Sequence, residues 1–397
     1  MLNMYTPSTK PNTRIDVADV LRGIAIGGIV LIHFIEQLNF YQFREASTPF
    51  MAWLNQAVWD TTFFLLAGKM YAIFSLLFGL SFFIQHDNQA QKGVDFRPRF
   101  LWRMVLLFMF GLFDLLFYNG DILTVYAVCG VLVVPFIRAS NKVLITAAII
   151  LMLHPIELVY IVLGLIDPET QPLYLGSKEL FANVLPAQSG GSWLDVAIEG
   201  IRSGFPVNFT WSIEHGRMTQ TPFLFLLGIY LGRKRLFYNE GNNLRIWTKV
   251  LIWSLVAFVV LAPAFEYIPD MVTTPCIKRS LGTMLKMWRN IASMLAIVSG
   301  VVLLFYNRPK VHDALMKIAP YGKMSLTNYL GQSIIGGFIF YNWGLGMFRY
   351  TGHTVALLIG ALVVVGQCYF CRWWLKSHSH GPFESLWRKL TWIDAKK

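Results

Sequence analysis

The chain is 397 residues long, 55% hydrophobic and 15% aromatic, with 14% charged residues and a formal net charge of +12. Ordinary soluble domains carry roughly 25% charged residues, so the composition excludes a soluble enzyme and indicates a polytopic membrane protein. Such positive charge would suggest nucleic acid in a soluble chain, but here Lys and Arg sit between apolar segments, where membrane topology accounts for them. Nucleic acid is therefore excluded as a partner.

A polar stretch over residues 1–16 precedes the first apolar segment, 17–37, which no small-residue cleavage pattern follows. It reads as a retained helix rather than a signal peptide. Its roughly 20 residues at ~1.5 Å each suffice to cross a ~30 Å hydrocarbon core. Asp19, Arg22 and His33 are costly there unless they face protein or a wet cavity. At about 100° per residue, Asp19, Arg22, Ile26, Val30, His33 and Gln37 share one face, with Arg22 and His33 roughly 16 Å apart along the axis.

Nine further apolar segments follow, over 61–85, 100–118, 120–137, 143–166, 219–238, 246–267, 288–306, 320–341 and 354–375. Ten spans with the N-terminus inside put 23 Lys and Arg on inner connections and tails and nine, including Arg44, Arg217, Lys286 and Arg289, on outer ones. That alternation is the positive-inside pattern. It predicts an all-α integral membrane protein of about ten transmembrane helices, a single domain with cytoplasmic tails at 1–16 and 376–397. Tyr118 to Asp121 is too short for anything but a tight antiparallel turn. The outer connection 166–218 is the one long loop, and within it Trp193, Val196, Ala197 and Ile201 share a side, which predicts a short helix lying in the interface. No internal repeat is visible. Cys368 and Cys371 are spaced C-x-x-C, but no further ligands accompany them, so they read as helix-packing residues and no metal site is expected.

Several residues are candidates for chemistry. Arg22, Arg97, Arg99 and Arg103 gather at the inner ends of their segments, with Lys323, and guanidinium clusters grip polyphosphates such as that of coenzyme A. Snorkelling explains most such residues equally well. In the outer half, His33 is a candidate general base. Lys69 and Asp114 read either as catalytic partners or as a buried ion pair. His154 precedes Pro155, which bends the helix, and reads as structural beside Glu157. Asn328 and Gln332, one turn apart, offer hydrogen bonds to a ligand or to Arg22.

The stretches GKMYAIFSLLFGLSF, NGDILTVYAVCG, YGKMSLTNYLGQS and GPFESLWRKLTW, in that order, resemble the bacterial membrane family known as DUF418 or YeiB-like. The opening DVLRGIA with His33 and Phe34 is similar to the first helix of the acyltransferase-3 family, and D-x-x-R-G to that of heparan-α-glucosaminide N-acetyltransferase. The first resemblance implies a bacterial cytoplasmic-membrane protein. The second implies transfer of an acyl group, acetyl above all, from cytoplasmic acyl-CoA to an acceptor at the other face. His33 would then be the base and Asp114 would orient it. Lys69 or Asn328 would stabilise the oxyanion, while Arg22, Arg97, Arg99 and Arg103 would hold the CoA phosphates. The DUF418 pattern more often has Asn at the position of His33 and His at that of Asp114, so the two helices share a polar pair of changed identity. The acceptor class, whether small molecule, glycan or lipid, stays open, as does homo-oligomerisation. A transporter or flippase using the same polar path, or a structural or signalling membrane protein without turnover, are the other readings.

Overall fold

The computed structural model describes Tyr5, Pro7, residues 10–36, Leu38 and residues 46–393. Gln37, Arg44 and the last four residues lie outside the described residues. Among the described residues every regular element is helical. The first half contains α1 (Asp16–Glu36), α2 (Pro49–Leu66), α3 (Met70–Ala90), α4 (Arg97–Asp114), α5 (Leu123–Val133), α6 (Asn141–Met152) and α7 (Pro155–Ile166). Three short helices follow, α8 (Ser177–Gly190), α9 (Trp193–Glu199) and α10 (Phe205–Glu214). The second half holds α11 (Arg217–Arg233), α12 (Asn243–Tyr267), α13 (Pro275–Asn307), α14 (Pro309–Met316), α15 (Ala319–Lys323), α16 (Ser325–Phe340), α17 (His353–Trp374) and α18 (Pro382–Thr391).

Helix covers each of the ten apolar segments, and the protein is an all-helical membrane protein. Five stretches are individually long and apolar enough to cross a bilayer, Asp16–Glu36, Pro49–Ala90, Asn243–Met271, Pro275–Asn307 and His353–Trp374; the bent pair α6 and α7 makes a sixth. The segment expected at 61–85 is not one uninterrupted helix. Thr48 accepts a hydrogen bond from Met51 N at 3.2 Å and Pro49 takes the first turn, so a helix starts well before residue 61. It stops at Gly68, whose φ of +76° suits glycine and whose missing side chain makes room for Asn290. That break sets Lys69 at the head of α3. In the segment 143–166 the helix breaks at His154, with φ 54°, because Pro155 lacks an amide proton, and α6 and α7 meet at 48°.

The connection 166–218 is largely helical. Ser192 and Asp195 form a reciprocal cap that starts α9, and Val196 and Ala197 are buried on one side while Trp193 and Ile201 are exposed. Glu214 ties the end of α10 to the start of α8, accepting from Leu175 N and from Ser177 Oγ, both at 2.6 Å.

α1 lies at the centre, packed on α3, α15, α16 and α17, and is buried nearly all round. Glycines permit the closest approaches. Gly79 on α3 and Gly228 on α11 each lie against the other helix's backbone, and Gly23 on α1 meets Gly322 on α15. The second contact holds Arg22 and Lys323 at the same level. At the periphery α12 buries only Trp247 and Ser254 and packs chiefly on α13, as a helix facing lipid does.

Candidate functional site

Two cavities flank the stripe on α1. The first, of about 430 Å³, is lined by Arg14, Arg22, Arg103 and Lys323 above a floor of Phe74, Phe78, Phe82 and Phe100. Asp19 is the carboxylate in this wall, and it is bridged twice, by Arg22 at 2.6 Å and Arg14 at 2.5 Å. Arg22 also donates to Ser81 Oγ at 2.8 Å, which fixes its guanidinium toward α3. Arg103 lies over the Trp387 ring at 4.1 Å. His380 closes one side, its imidazole held below the usual range by burial and by Arg388 and Arg14.

The second cavity, of about 330 Å³, contains His33. Its walls come from α1 (Ile29, Ile32, His33, Glu36), from the α2–α3 break (Phe64, Gly68, Lys69), from α10 (Asn208, Ser212) and from α13 (Lys286, Arg289), with Arg217 at the head of α11. The Gln332 amide nitrogen lies 2.9 Å from His33 Nδ1, and the imidazole stacks obliquely on Tyr118 at 4.8 Å. Which ring nitrogen carries the proton follows from how that amide is turned. Only with its oxygen toward Nδ1 is Nε2 an acceptor. Lys69 Nζ donates to Phe64 O at 2.7 Å, so the break in the helix also satisfies the lysine. His215 also lines this cavity, and burial first and then Lys286, Arg279 and Arg217 hold its imidazole below its usual range.

Among the described residues the two cavities share no lining residue, yet they nearly meet. Tyr71 lines the second and Phe74 the first, three positions apart on α3, or roughly 4.5 Å of helical rise. Tyr126 completes the partition: its ring stacks on Phe74 at 6.0 Å and its hydroxyl donates to Tyr71 O at 2.9 Å. On α1 the buried Ala25 and Ile26 line neither cavity.

The structure brings together only part of the set read from the sequence. Arg22 and Arg103 share the first cavity; His33 and Lys69 share the second, with Gln332 behind the histidine. Arg97 is instead paired with Asp95 at 2.8 Å, and its guanidinium holds the Asp95 carboxyl down at about 2. Arg99 donates to Thr391 O at 2.6 Å and lies over Trp392. Both are drawn out of the cavity by nearer partners, Asp95 and the C-terminal helix. Asp114 is buried beside Asp121 and Ser333, lines neither cavity, and forms no ion pair with Lys69 among the described residues. It does not orient His33; Gln332 takes that place. Asn328 does not reach Arg22: it donates to Tyr321 O at 3.0 Å and meets Cys371 Sγ at 3.2 Å, locking α15, α16 and α17. Gln332 likewise serves His33 and not Arg22. His154 sits at the bend, 2.8 Å from Thr219 Oγ1 and 3.7 Å from Glu157. Sequence reading missed Arg217, Lys286 and Arg289 as site residues. Their signal was present: they are basic groups crowded on connections where the positive-inside bias expects few.

Comparison with known proteins adds two family matches. Residues 14–166 match the family described as "Heparan-alpha-glucosaminide N-acetyltransferase, catalytic", and residues 231–394 the family described as "Protein of unknown function (DUF418)". The DUF418 and heparan-α-glucosaminide N-acetyltransferase resemblances read from the sequence are thereby borne out, the latter on the half that carries Arg22 and His33. The chain is 27% identical to the uncharacterized protein YxaH of Bacillus subtilis (strain 168), across 97% of this chain and 96% of that one. It is 27% identical to the uncharacterized protein YeiB of Escherichia coli (strain K12), across 94% and 95%. An uncharacterized 39.9 kDa protein from the amylase 3' region of Bacillus acidopullulyticus is 24% identical, across 96% and 94%. No solved structure matches.

Proposed function

We propose, from a first half that matches a transmembrane acetyltransferase catalytic family and a second half that matches DUF418, that this chain is a membrane acyltransferase. It takes an acyl group, acetyl above all, from acyl-CoA and passes it across the membrane. The single observation that carries the reading is the pair of cavities along α1, one basic and aromatic, the other holding a histidine, with a one-turn aromatic partition between them.

Arg14, Arg22, Arg103 and Lys323 suit the diphosphate and 3'-phosphate of the CoA nucleotide, since guanidinium groups bind phosphate bidentately. The aromatic floor suits the adenine and the apolar part of the pantetheine arm. Extended pantetheine covers the roughly 16 Å from Arg22 to His33, provided Phe74 and Tyr126 turn aside. With the Gln332 amide turned so that its oxygen accepts from Nδ1–H, His33 Nε2 takes the proton of an acceptor hydroxyl or amine. The acceptor oxygen or nitrogen bonds to the thioester carbon, Lys69 faces the developing oxyanion, and the carbon–sulfur bond breaks. The proton on the imidazolium returns to the departing thiolate.

In this reading the chain is one domain of ten spans in the bacterial cytoplasmic membrane, with both termini and the CoA cavity cytoplasmic and α8 to α10 roofing the acceptor cavity. Passage of a solute along the same path gains no support from the comparisons. The test is acetyl-CoA binding to the purified protein in nanodiscs. Arg22→Gln is expected to weaken it about tenfold or more, as loss of a charge-assisted contact does. Wild-type protein without affinity for acetyl-CoA would overturn the reading.

A further inference from the structure

The His33 cavity is strongly and unevenly charged. Lys69, Arg217, Lys286 and Arg289 line it, and none of the four has an ion pair among the described residues. Their close neighbours are a carbonyl and ring faces, Phe64 O for Lys69, the Tyr71 and Trp211 rings at 4.2 and 4.4 Å for Arg217, and the Phe265 ring for Arg289 at 4.3 Å, while Glu36 faces Lys286 and Glu266 faces Arg289 from beyond ion-pair distance. Two carboxylates share the lining, Glu36 and Asp121. The oxygens of Asp121 are taken by the amides of Leu123 and Thr124, at 2.9 and 2.8 Å. Four cations against these two carboxylates and Glu266 beside Arg289 leave an excess of about one positive charge. At the other end Arg14 and Arg22 share Asp19, while Arg103 and Lys323 form no ion pair among the described residues.

Cations gathered in one partly enclosed cavity without ion pairs are costly and imply a negative partner. They come from three separate places in the chain, the α2–α3 break, the head of α11 and one face of α13, so no single local pattern accounts for the meeting of all four. A phosphate monoester carries about −1.5 to −2 at pH 7 and accepts several charge-assisted hydrogen bonds. The volume, about 330 Å³, suits a small phosphorylated polyol or a lipid headgroup.

We infer that the His33 cavity binds a phosphate ester, held by Arg217, Lys286 and Arg289, and that this phosphate-bearing molecule is the acyl acceptor. The second clause rests on the acyltransferase reading; the first stands without it. The phosphate grips the cationic wall while a neighbouring hydroxyl of the same molecule turns to His33.

Full-length protein in phosphatidylcholine nanodiscs is titrated with inorganic phosphate, glycerol 1-phosphate, glycerol and acetate, and separately with acetyl-CoA. Glycerol 1-phosphate and inorganic phosphate bind while glycerol and acetate do not. Lys286→Gln and Arg289→Gln each weaken glycerol 1-phosphate about tenfold or more, whereas Lys286→Arg restores it. Repeating the titration in phosphatidylglycerol nanodiscs separates the sources: weakened soluble binding there identifies a lipid headgroup as the occupant, and unchanged binding a free phosphate ester. Equal binding of glycerol and glycerol 1-phosphate, or no effect of either glutamine variant, overturns the inference even if acetyl-CoA binds. Phosphate binding without acetyl-CoA binding overturns the acyltransferase reading alone.

Discussion

Replacing His33 with Ala separates chemistry from donor binding. Along α1, His33 lies 11 residues and so roughly 16 Å from Arg22. Substitutions more than about 10 Å apart with no shared partner act independently, and Arg22's partners, Asp19 and Ser81, differ from those of His33, which are Gln332 and Tyr118. Acetyl-CoA affinity should therefore stay within about twofold. A positioned general base is worth roughly 10²–10⁴ in rate, or about 3 to 5 kcal/mol of barrier, so acetyl transfer should fall by that factor. The structural cost is the lost Gln332 bond, about 1 kcal/mol, too little to unfold the helix packing. Proteoliposomes given radiolabelled acetyl-CoA and a lipid and glycan extract of the native cells report transfer. Calorimetry reports donor affinity, and a thermal melt controls for folding. A rate within about threefold of wild type removes the base from His33. An equal loss of acetyl-CoA affinity would falsify the division of labour between the two cavities.

Phe74→Ala should join the cavities by deleting the ring stacked on Tyr126. Acetyl-CoA hydrolysis without acceptor is expected to rise several-fold, at less than the ~3–5 kcal/mol that a fully buried Phe costs; unchanged hydrolysis in a folded variant would show that the partition lies elsewhere. Glu384 accepts from Leu326 N at 2.8 Å, Thr327 N at 3.1 Å and Thr327 Oγ1 at 2.5 Å, capping α16 from α18. Glu384→Ala should cost about 3 kcal/mol locally, seen as faster hydrogen exchange over residues 382–391. Protection as in wild type would mean that Arg99, Arg103 and Trp102 alone hold α18. Arg97 holds Asp95 at about 2 in the folded chain, below the ordinary ~3.9. The contribution is thus present above about pH 4 and fades as pH falls through about 2. Because the pair is about one-third exposed, it amounts to less than ~1 kcal/mol; Asp95→Asn should remove that acid-side slope from thermal melts, and an identical slope in the variant would trace it to other carboxylates.

Local pattern carried much of this protein. Residue spacing alone aligned Asp19, Arg22 and His33, and the coordinates place Arg22 and His33 in cavities rather than in lipid because helical periodicity depends on no distant partner. Apolar length located helices on all ten segments for the same reason, and Pro155 announced its own bend. The break at Gly68 was harder to see, because its reason is Asn290, more than two hundred residues away.

Pairing between distant residues needed the tertiary structure. Charge alone could not say that Arg22 and Arg103 face a cavity while Arg97 and Arg99 turn to Asp95 and the C-terminal helix, since a guanidinium takes whichever acceptor folding brings nearest. Nor could spacing show that Gln332 and not Asp114 meets His33, across 299 residues of chain. The cationic wall of Lys69, Arg217, Lys286 and Arg289 likewise exists only once three remote stretches of chain converge. Sequence by itself determined which faces are apolar and where charge must be sheltered, because those follow from burial and helical pitch. The fold decided which charges share a space, because that depends on how helices cross, and crossing is set by contacts no single segment contains.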